Sequence, residues 1–503
     1  MLKKISRNIL KDLYLIKSIL ADNYDVVIRE FTIGDKQQVE AFIVFIDGLI
    51  QENIVNDSIL RPLMIDIRDV KSNDFFDFNS IKKSALATAN VREVETVGEA
   101  VQGIVSGNTA LFLSISDKVL LIDNKGFESR GIEKPEMETV IRGPKESFGE
   151  VLQVNTALLR RKIKNSNLKL EKLKIGEQTQ TDICIAYIKG IANEEIVCEV
   201  KNRLKDIKID SVLESGYLEE FIEDAPFSPF PTIANTEKPD TVAGKILEGR
   251  VAIFVDGTPT VLTVPHIFIE GLMVSEDYYS RPYFVSIIRL VRLGAMLMTM
   301  LLPSLYIAIV TFHPELLPVE LAISLAVASE GVPFPAFMEV FIMGLLFEVL
   351  REAGVRMPRA VGQAVSIVGA LILGDAAIRA GIVGAPVVIV TALTAISSFV
   401  VPAQLDVLTM LRLVFVVIGT VMGLPGIMIA IIAVVIHMGS LRSFGVPYMV
   451  PLAPFFAAGW KDFVVRVPWW AMTGRPHLIG TERRQRQKPG QRPSPYDEEI
   501  ENG

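Results

Sequence analysis

The residues in this chain best placed to do chemistry are four charges set within apolar sequence: Glu339, Glu348, Asp375 and Arg379, all inside the stretch 330–381. Pro333, Pro335 and Pro358 interrupt the same stretch, and a later break, Gly423-Leu424-Pro425-Gly426, is centred on Pro425. What such a set offers is the handling of charge rather than the making of bonds. An ionisable side chain at bilayer depth is costly unless protein or water surrounds it, so charges and helix breakers there mark a cavity, a pathway or a packed interior.

Glu339 and Glu348 are nine residues apart, which on a regular helix of about 3.6 residues per turn sets them on opposite sides. Glu348 shares a face with Glu352 beside Arg351, so an ion-paired or snorkelling role is expected for it. Glu339 lies deeper, between Met338 and Val340, and is the better functional candidate. Asp375 and Arg379, spaced i, i+4, can neutralise each other as a structural pair. Gly362, Ser366, Gly369 and Leu373 form one narrow stripe on the helix after Pro358. Small residues in a stripe serve close helix packing. The other reading is a pore lining narrowed at Leu373, since apolar constrictions gate by dewetting.

No catalytic signature accompanies these residues. The chain has no GxGxxG after a strand, no phosphate-binding loop, no HExxH and no paired-cysteine metal site. His266, His313, His437 and His477 are scattered. Cys184 and Cys198, the only cysteines, read as reduced core residues. The basic cluster Arg160–Lys164 reads as a solvated helix face rather than a nucleic-acid contact. An enzyme, a cofactor and a metal are all unsupported.

The elements that must position the charges follow from uneven apolarity. Half of the 503 residues are hydrophobic, and nearly all the long apolar runs fall in 281–470. The expected fold is an α+β cytoplasmic N-terminal region of two subdomains, followed by a polytopic all-α membrane domain of five or six segments. Its divisions are an α/β segment (1–78), a first α+β subdomain (79–165), a second (166–275), a helical membrane domain (285–470) and a basic, disordered cytoplasmic tail (471–503). A helix–strand–turn–strand pattern from Val97 returns from Val242, with Asp256-Gly257 as its turn. The N-terminus lacks the apolar core of a signal peptide.

Five apolar passages can be drawn: Leu293–Phe312, Leu321–Ser329 with Ala336–Leu350, Val361–Leu373 with Ala376–Ile382, Val387–Val401, and Leu413–His437. The loop His313–Glu320 has no Lys or Arg, whereas Arg351, Arg356 and Arg359 follow the second passage, which places the N-terminal half in the cytoplasm. The basic tail Arg475–Arg492 should lie on that side too, and five passages do not allow it. Either Val446–Val465 crosses back or a middle segment fails to span. Trp460, Trp469 and Trp470 read as interfacial anchors.

Several motifs are recognisable together: IRGPKESFGEVLQVNTALLRRKI (141–163), TDICIAYIKGIA (181–192), the run 227–265 from FSPFPTIANT to VLTVP, EDYYSRPYF (276–284), LPSLYIAIVTFHPELLP (302–318), EGVPFPAFME (330–339) and the run 348–378. On these the chain resembles, along nearly its whole length, the A subunits of GerA-type spore germination receptors. The resemblance implies a polytopic protein of the endospore inner membrane with a cytoplasmic N-terminal domain. It also implies a transporter-like B subunit and a lipoprotein C subunit as partners, and a homo-oligomeric ring forming a germinant-gated cation channel. GDAAIRAG, in place of a GQAA-type sequence, leans toward the related SpoVA-operon paralogue. A secondary transporter, motivated by the broken helices, and a non-conducting membrane scaffold are the alternatives.

Overall fold

The computed structural model describes all residues except 1–2, 35–37, 67–76, 89, 127–137, 139, 358–373, 477, 481–484 and 494–503. Pro358, Gly362, Ser366, Gly369 and Leu373 therefore lie outside the described residues.

Helix α1 (Ile9–Ile19) begins where the Asn8 side chain accepts from the Lys11 amide, one of the donors a helix start leaves unpaired. Strands β1 (Val26–Ile33) and β2 (Val39–Ile46) pair antiparallel along their full length, Val26 opposite Ile46. After helical turns over 52–64 come β3 (Val91–Val94), helix α2 (Val97–Val105), β4 (Thr109–Leu113) and β5 (Val119–Ile122). The first sheet runs β1-β2-β4-β5-β3. Alternate residues of β2 serve opposite faces: Phe42, Val44 and Ile46 pack on α1 and α2, while Ala41, Ile43 and Phe45 pack on the turns at 55–63. The segment 1–78 is thus not a separate unit, because its two strands complete the first subdomain's sheet.

Helix α3 (Leu152–Lys162) leads to β6 (Leu168–Ile175), β7 (Thr181–Ile188), helices α4 (Glu194–Asp206) and α5 (Ser215–Ile222), β8 (Ala234–Thr236), helix α6 (Pro239–Leu247), β9 (Val251–Val255) and β10 (Val261–Val264). The second sheet runs β6-β7-β9-β10-β8, the same order as the first. The repeated pattern at Val97 and Val242 is therefore one piece of a unit duplicated across both subdomains.

Two side chains depart from the sequence reading. Helix α3 packs on the second sheet and so belongs to the second subdomain rather than to 79–165, and its Arg160 is not on a solvated face: it is 1% exposed and clamps the subdomains together through Asp25 (2.7 and 2.8 Å) and Asn23 (2.8 Å). A lone guanidinium on an otherwise apolar inner face needs such a partner. Cys184 is buried as expected, but Cys198 is exposed on α4.

One face of the second sheet, Ile183, Ile185, Ile253, Val255, Leu262 and Val264, forms a single apolar core with α4, α5 and the helical half, reaching Met296, Met300, Leu408 and Phe415. That half comprises α7 (Pro282–Phe312), α8 (Val319–Ser329), α9 (Ala336–Arg356), helical residues 374–379, α10 (Ala385–Ser398) and α11 (Leu405–Ser440). Among the described residues two helices, Pro282–Phe312 and Pro402–Ser440, are long and apolar enough to cross a membrane. Pro333 lies in the loop between α8 and α9, and Pro335 caps α9.

Helix α11 is not one passage. A straight helix of its 36 residues would separate its ends by about 54 Å. Yet Gln404 donates to the Phe268 carbonyl (3.2 Å), His437 bonds Ser228 (2.9 Å), and the rings of Phe268 and Phe230 each lie 6.3 Å from Tyr448. Both ends therefore rest on the second subdomain, and the helix folds back at Gly423, whose φ of 60° and ψ of −149° only glycine adopts readily. A Cβ there would sit 3.2 Å from the ring of Phe312, the last residue of α7. Pro425 falls in the first turn of the returning limb, where its missing N–H costs nothing.

This corrects the single passage drawn at Leu413–His437. Val446–Val465 is not a returning span either. It follows a short hairpin, β11 (Arg442–Ser443) with β12 (Val446–Pro447), and lies as turns against the α+β half. There the His266 amide bonds Ser443 (2.9 Å) and the Phe268 amide bonds the Tyr448 carbonyl (3.0 Å).

Candidate functional site

Pro335 starts α9 by leaving its carbonyl free to accept from the Glu339 amide (3.2 Å). This puts Glu339 in the first turn of α9, against the start of α10. Its carboxyl accepts the Gly384 amide at 2.6 Å, one of the donors that the α10 N-terminus presents toward negative charge. Around it stand Ile307, Val340, Met343, Val383, Val387 and Val416, and the residue is 2% exposed. The deepest acidic candidate is thus a sealed tie between two helix starts in the single chain. Glu339→Ala should cost about 1–3 kcal/mol, the penalty for a buried donor without an acceptor, while Glu339→Gln keeps an acceptor and should lose less. Thermal unfolding of the detergent-solubilised chain measures both, and equal losses would show that the hydrogen bond is not what matters.

Glu348 pairs with Arg351 on its own helix at 2.5 Å and with Arg412 of α11. Arg351 also reaches Thr409 (3.5 Å). The pairing with Arg351 agrees with the sequence reading, whereas Arg412 was not singled out. Its signal was present, because a lone arginine in LTMLRLVFVVI needs an acid from elsewhere in the fold. Asp375 and Arg379 pair at 2.9 Å with side chains 57% and 79% exposed. They remain apart from the Glu348 cluster and from Glu339.

The densest charge network is one that sequence reasoning missed, at the junction of the second subdomain with α7. Arg289, 3% exposed, donates to Asp277 (3.0 Å), to the Asp462 carboxylate (2.9 Å) and to the carbonyls of Asp462 and Phe463 (3.0 Å each). Arg292 holds both oxygens of Asp277 at 2.9 and 2.8 Å. Tyr278 donates to Asp462 (2.8 Å) and accepts from Trp469 Nε1 through its carbonyl (3.1 Å). That both arginines face the buried Asp277 is a long-range fact that their place ahead of an apolar run does not reveal.

A second hub centres on Glu270, which contacts Arg250, Lys245 (3.4 Å) and His266 Nδ1 (3.4 Å). Burial raises the Glu270 carboxyl, but Arg250 and Lys245 outweigh it and hold it well below the usual range. Burial pushes His266 down, only partly offset by Glu270, and Lys245 and Arg250 push the same way. A histidine depressed in the folded state contributes stability above its ordinary value, near 6.5, that is lost as pH falls through that value. The chain should therefore unfold more easily from about pH 7 to 5, with Glu270 contributing only at lower pH. His266→Phe should flatten that slope in pH-resolved thermal unfolding; an unchanged slope would place it elsewhere.

Among the described residues no group of three His, Cys, Asp or Glu is placed to hold a metal. What these sites can do is tie helices to one another and to the α+β half.

Comparison with known proteins gives sequence matches over nearly the whole chain. The family model described as Bacillus/Clostridium GerA spore germination protein matches residues 14–478. Spore germination protein KA of Bacillus subtilis (strain 168) is 43% identical over 493 residues, 98% of this chain and 90% of its own. Stage V sporulation protein AF of the same organism is 30% identical over 472 residues, 93% and 94% of the two chains. Identity over the whole length thus runs against the lean toward the SpoVA-operon paralogue. The crystal structure of the N-terminal domain of the A subunit of the Bacillus megaterium spore germinant receptor GerK3 is 35% identical, covering 53% of this chain and 98% of that one, with a TM-score of 0.40. On the family-model match over 14–478 and the identity to protein KA over nearly the whole chain, the chain belongs to the Bacillus/Clostridium GerA spore germination protein family.

Proposed function

We propose that this chain is an A-type subunit of a spore germination receptor, and that copies of it assemble as a ring into a germinant-gated cation channel whose release of monovalent cations starts or amplifies germination. It sits in the inner membrane of the endospore with its α+β half in the cytoplasm. A transporter-like B subunit and a lipoprotein C subunit are its partners.

The observation that most supports the reading is the Asp375–Arg379 pair. Its side chains are more than half exposed in the single chain, in a half that also exposes apolar Leu345, Val349, Val421 and Ile436. Lipid does not tolerate such a pair, so water or another copy must cover it. The fold-back at Gly423 supports the topology as well. Both ends of α11 rest on the second subdomain, so in this reading its two limbs are two passages and the stretch after Ser440 begins on the side of the α+β half.

In this reading the outlying stripe Gly362, Ser366, Gly369 and Leu373 lines the conduit. The sealed ties at Glu339 and Glu348 hold the helices that frame it. Cation flux from vesicles holding the purified chain, with and without its partner subunits, is the test. Flux that Leu373→Ala alters is expected; no flux in either preparation would overturn the channel.

A further inference from the structure

Residues 475–492 carry six Lys and Arg against one Glu, in a chain of net charge −7, so their natural partner is anionic. The described part of this stretch is not a free tail. Arg475 donates to the Leu247 carbonyl (2.8 Å), the Arg486 amide to the Thr473 carbonyl (2.8 Å), and the Arg486 guanidinium meets Glu248 (3.2 Å). These contacts lay the stretch beside Trp469 and Trp470. Arg486 stands 5.3 Å from the Trp469 ring and Arg492 5.6 Å from the Trp470 ring, within the reach of cation–π attraction.

The two tryptophans mark a level. Trp469 bonds the Tyr278 carbonyl, four residues before α7 begins, and the outer face of α7 turns apolar at once with Tyr283, Phe284, Ile287, Leu290 and Val291 exposed. Phe455 and Trp460, whose rings are 5.8 Å apart, are exposed in the turns that also supply Asp462 to Arg289. Exposed aromatics thus gather beside the start of the apolar helix α7, with Arg486 and Arg492 against the tryptophan rings. This is the order of groups met on leaving a bilayer: acyl chains, interfacial rings, then headgroup charge.

We propose that Lys488 and Arg492 of this stretch and the aromatic belt together bind the headgroups of anionic phospholipids in the leaflet facing the α+β half, a role that rests on the membrane reading above. Lys488 and Arg492, both exposed, face the phosphates, and Trp469 and Trp470 seat at the glycerol level. Anionic lipid then pins the end of the chain to Glu248 and α6, and so couples headgroup charge to the second subdomain.

The chain's only tryptophans, Trp460, Trp469 and Trp470, all lie in the belt and serve as intrinsic reporters. The detergent-solubilised full chain is titrated with brominated phosphatidylglycerol and with brominated phosphatidylcholine, reading quenching of tryptophan fluorescence. Phosphatidylglycerol should bind more tightly. Lys488→Gln combined with Arg492→Gln should weaken it on the order of 20-fold, at about fivefold per charge, and leave phosphatidylcholine unchanged. Lys488→Arg combined with Arg492→Lys should behave as the parent. Equal quenching by the two lipids, or no loss in the Gln variant, would overturn the proposal. Displacement by inorganic phosphate, or tighter binding of RNA than of phosphatidylglycerol, would overturn it too. A chain that stays in solution without detergent or lipid would instead sink the membrane reading itself, so the two failures are distinguishable.

Discussion

Arg289→Ala should destabilise the full chain by about 3–5 kcal/mol, the cost of removing one partner from a buried ion pair. The guanidinium answers Asp277, Asp462 and two backbone carbonyls, and its loss takes from the half-buried Asp462 its neutralising charge and leaves the Tyr278 hydroxyl as its donor. Asp277 keeps Arg292, so the damage should fall on the turns at 455–471 and on their hold on α7. Denaturant unfolding in detergent gives the magnitude. Protease nicking within 455–471 should rise with it, because those turns would lose their main tie to the helix. Arg289→Lys restores charge but not the fork and should recover only part of the loss. A variant within 1 kcal/mol of the parent by the same measure would show that apolar packing alone holds the junction.

Arg160→Ala should cost about as much, roughly 3–5 kcal/mol, but at the other end of the molecule. Arg160 and Asp25 are 1% and 5% exposed at the side chain, and Asn23, which accepts from Arg160, also accepts the Leu170 amide (3.1 Å). The clamp therefore joins the first subdomain both to α3 and to β6. Because a buried ion pair exchanged for apolar residues of similar size is often neutral, Arg160→Met with Asp25→Leu should recover most of the loss. Thermal unfolding of the three proteins decides it. A double variant no better than the single one would mean that Asn23 and the fork geometry, not the charge, carry the clamp.

Much of the α+β half was legible because its signals are local. The helix–strand–turn–strand units from Val97 and Val242 and the turn at Asp256-Gly257 appear where helical period, apolar runs and turn chemistry place them. The duplicated unit was only half visible. Its β-hairpins at 26–46 and 168–188 share little sequence, and likeness of strand order is a property of pairing, not of residues. In the helical half the outward passage ending at Phe312 was plain from length and apolarity. The limbs of α11 were not, since a run apolar on every side carries no period to mark a reversal, and one glycine at φ 60° decides it.

The residues alone determined the family, the division into an α+β half and an apolar helical half, and which charges stand in apolar surroundings. Only the tertiary structure decided what those charges do: that Glu339 ties two helix starts, that Glu348 answers Arg412 from 64 positions away, and that Arg160 turns inward to an aspartate 135 positions distant. The reason is physical. Apolarity and period are summed over neighbours along the chain, whereas a buried charge is satisfied by whatever group the fold brings within about 3 Å of it, and nothing local names that group.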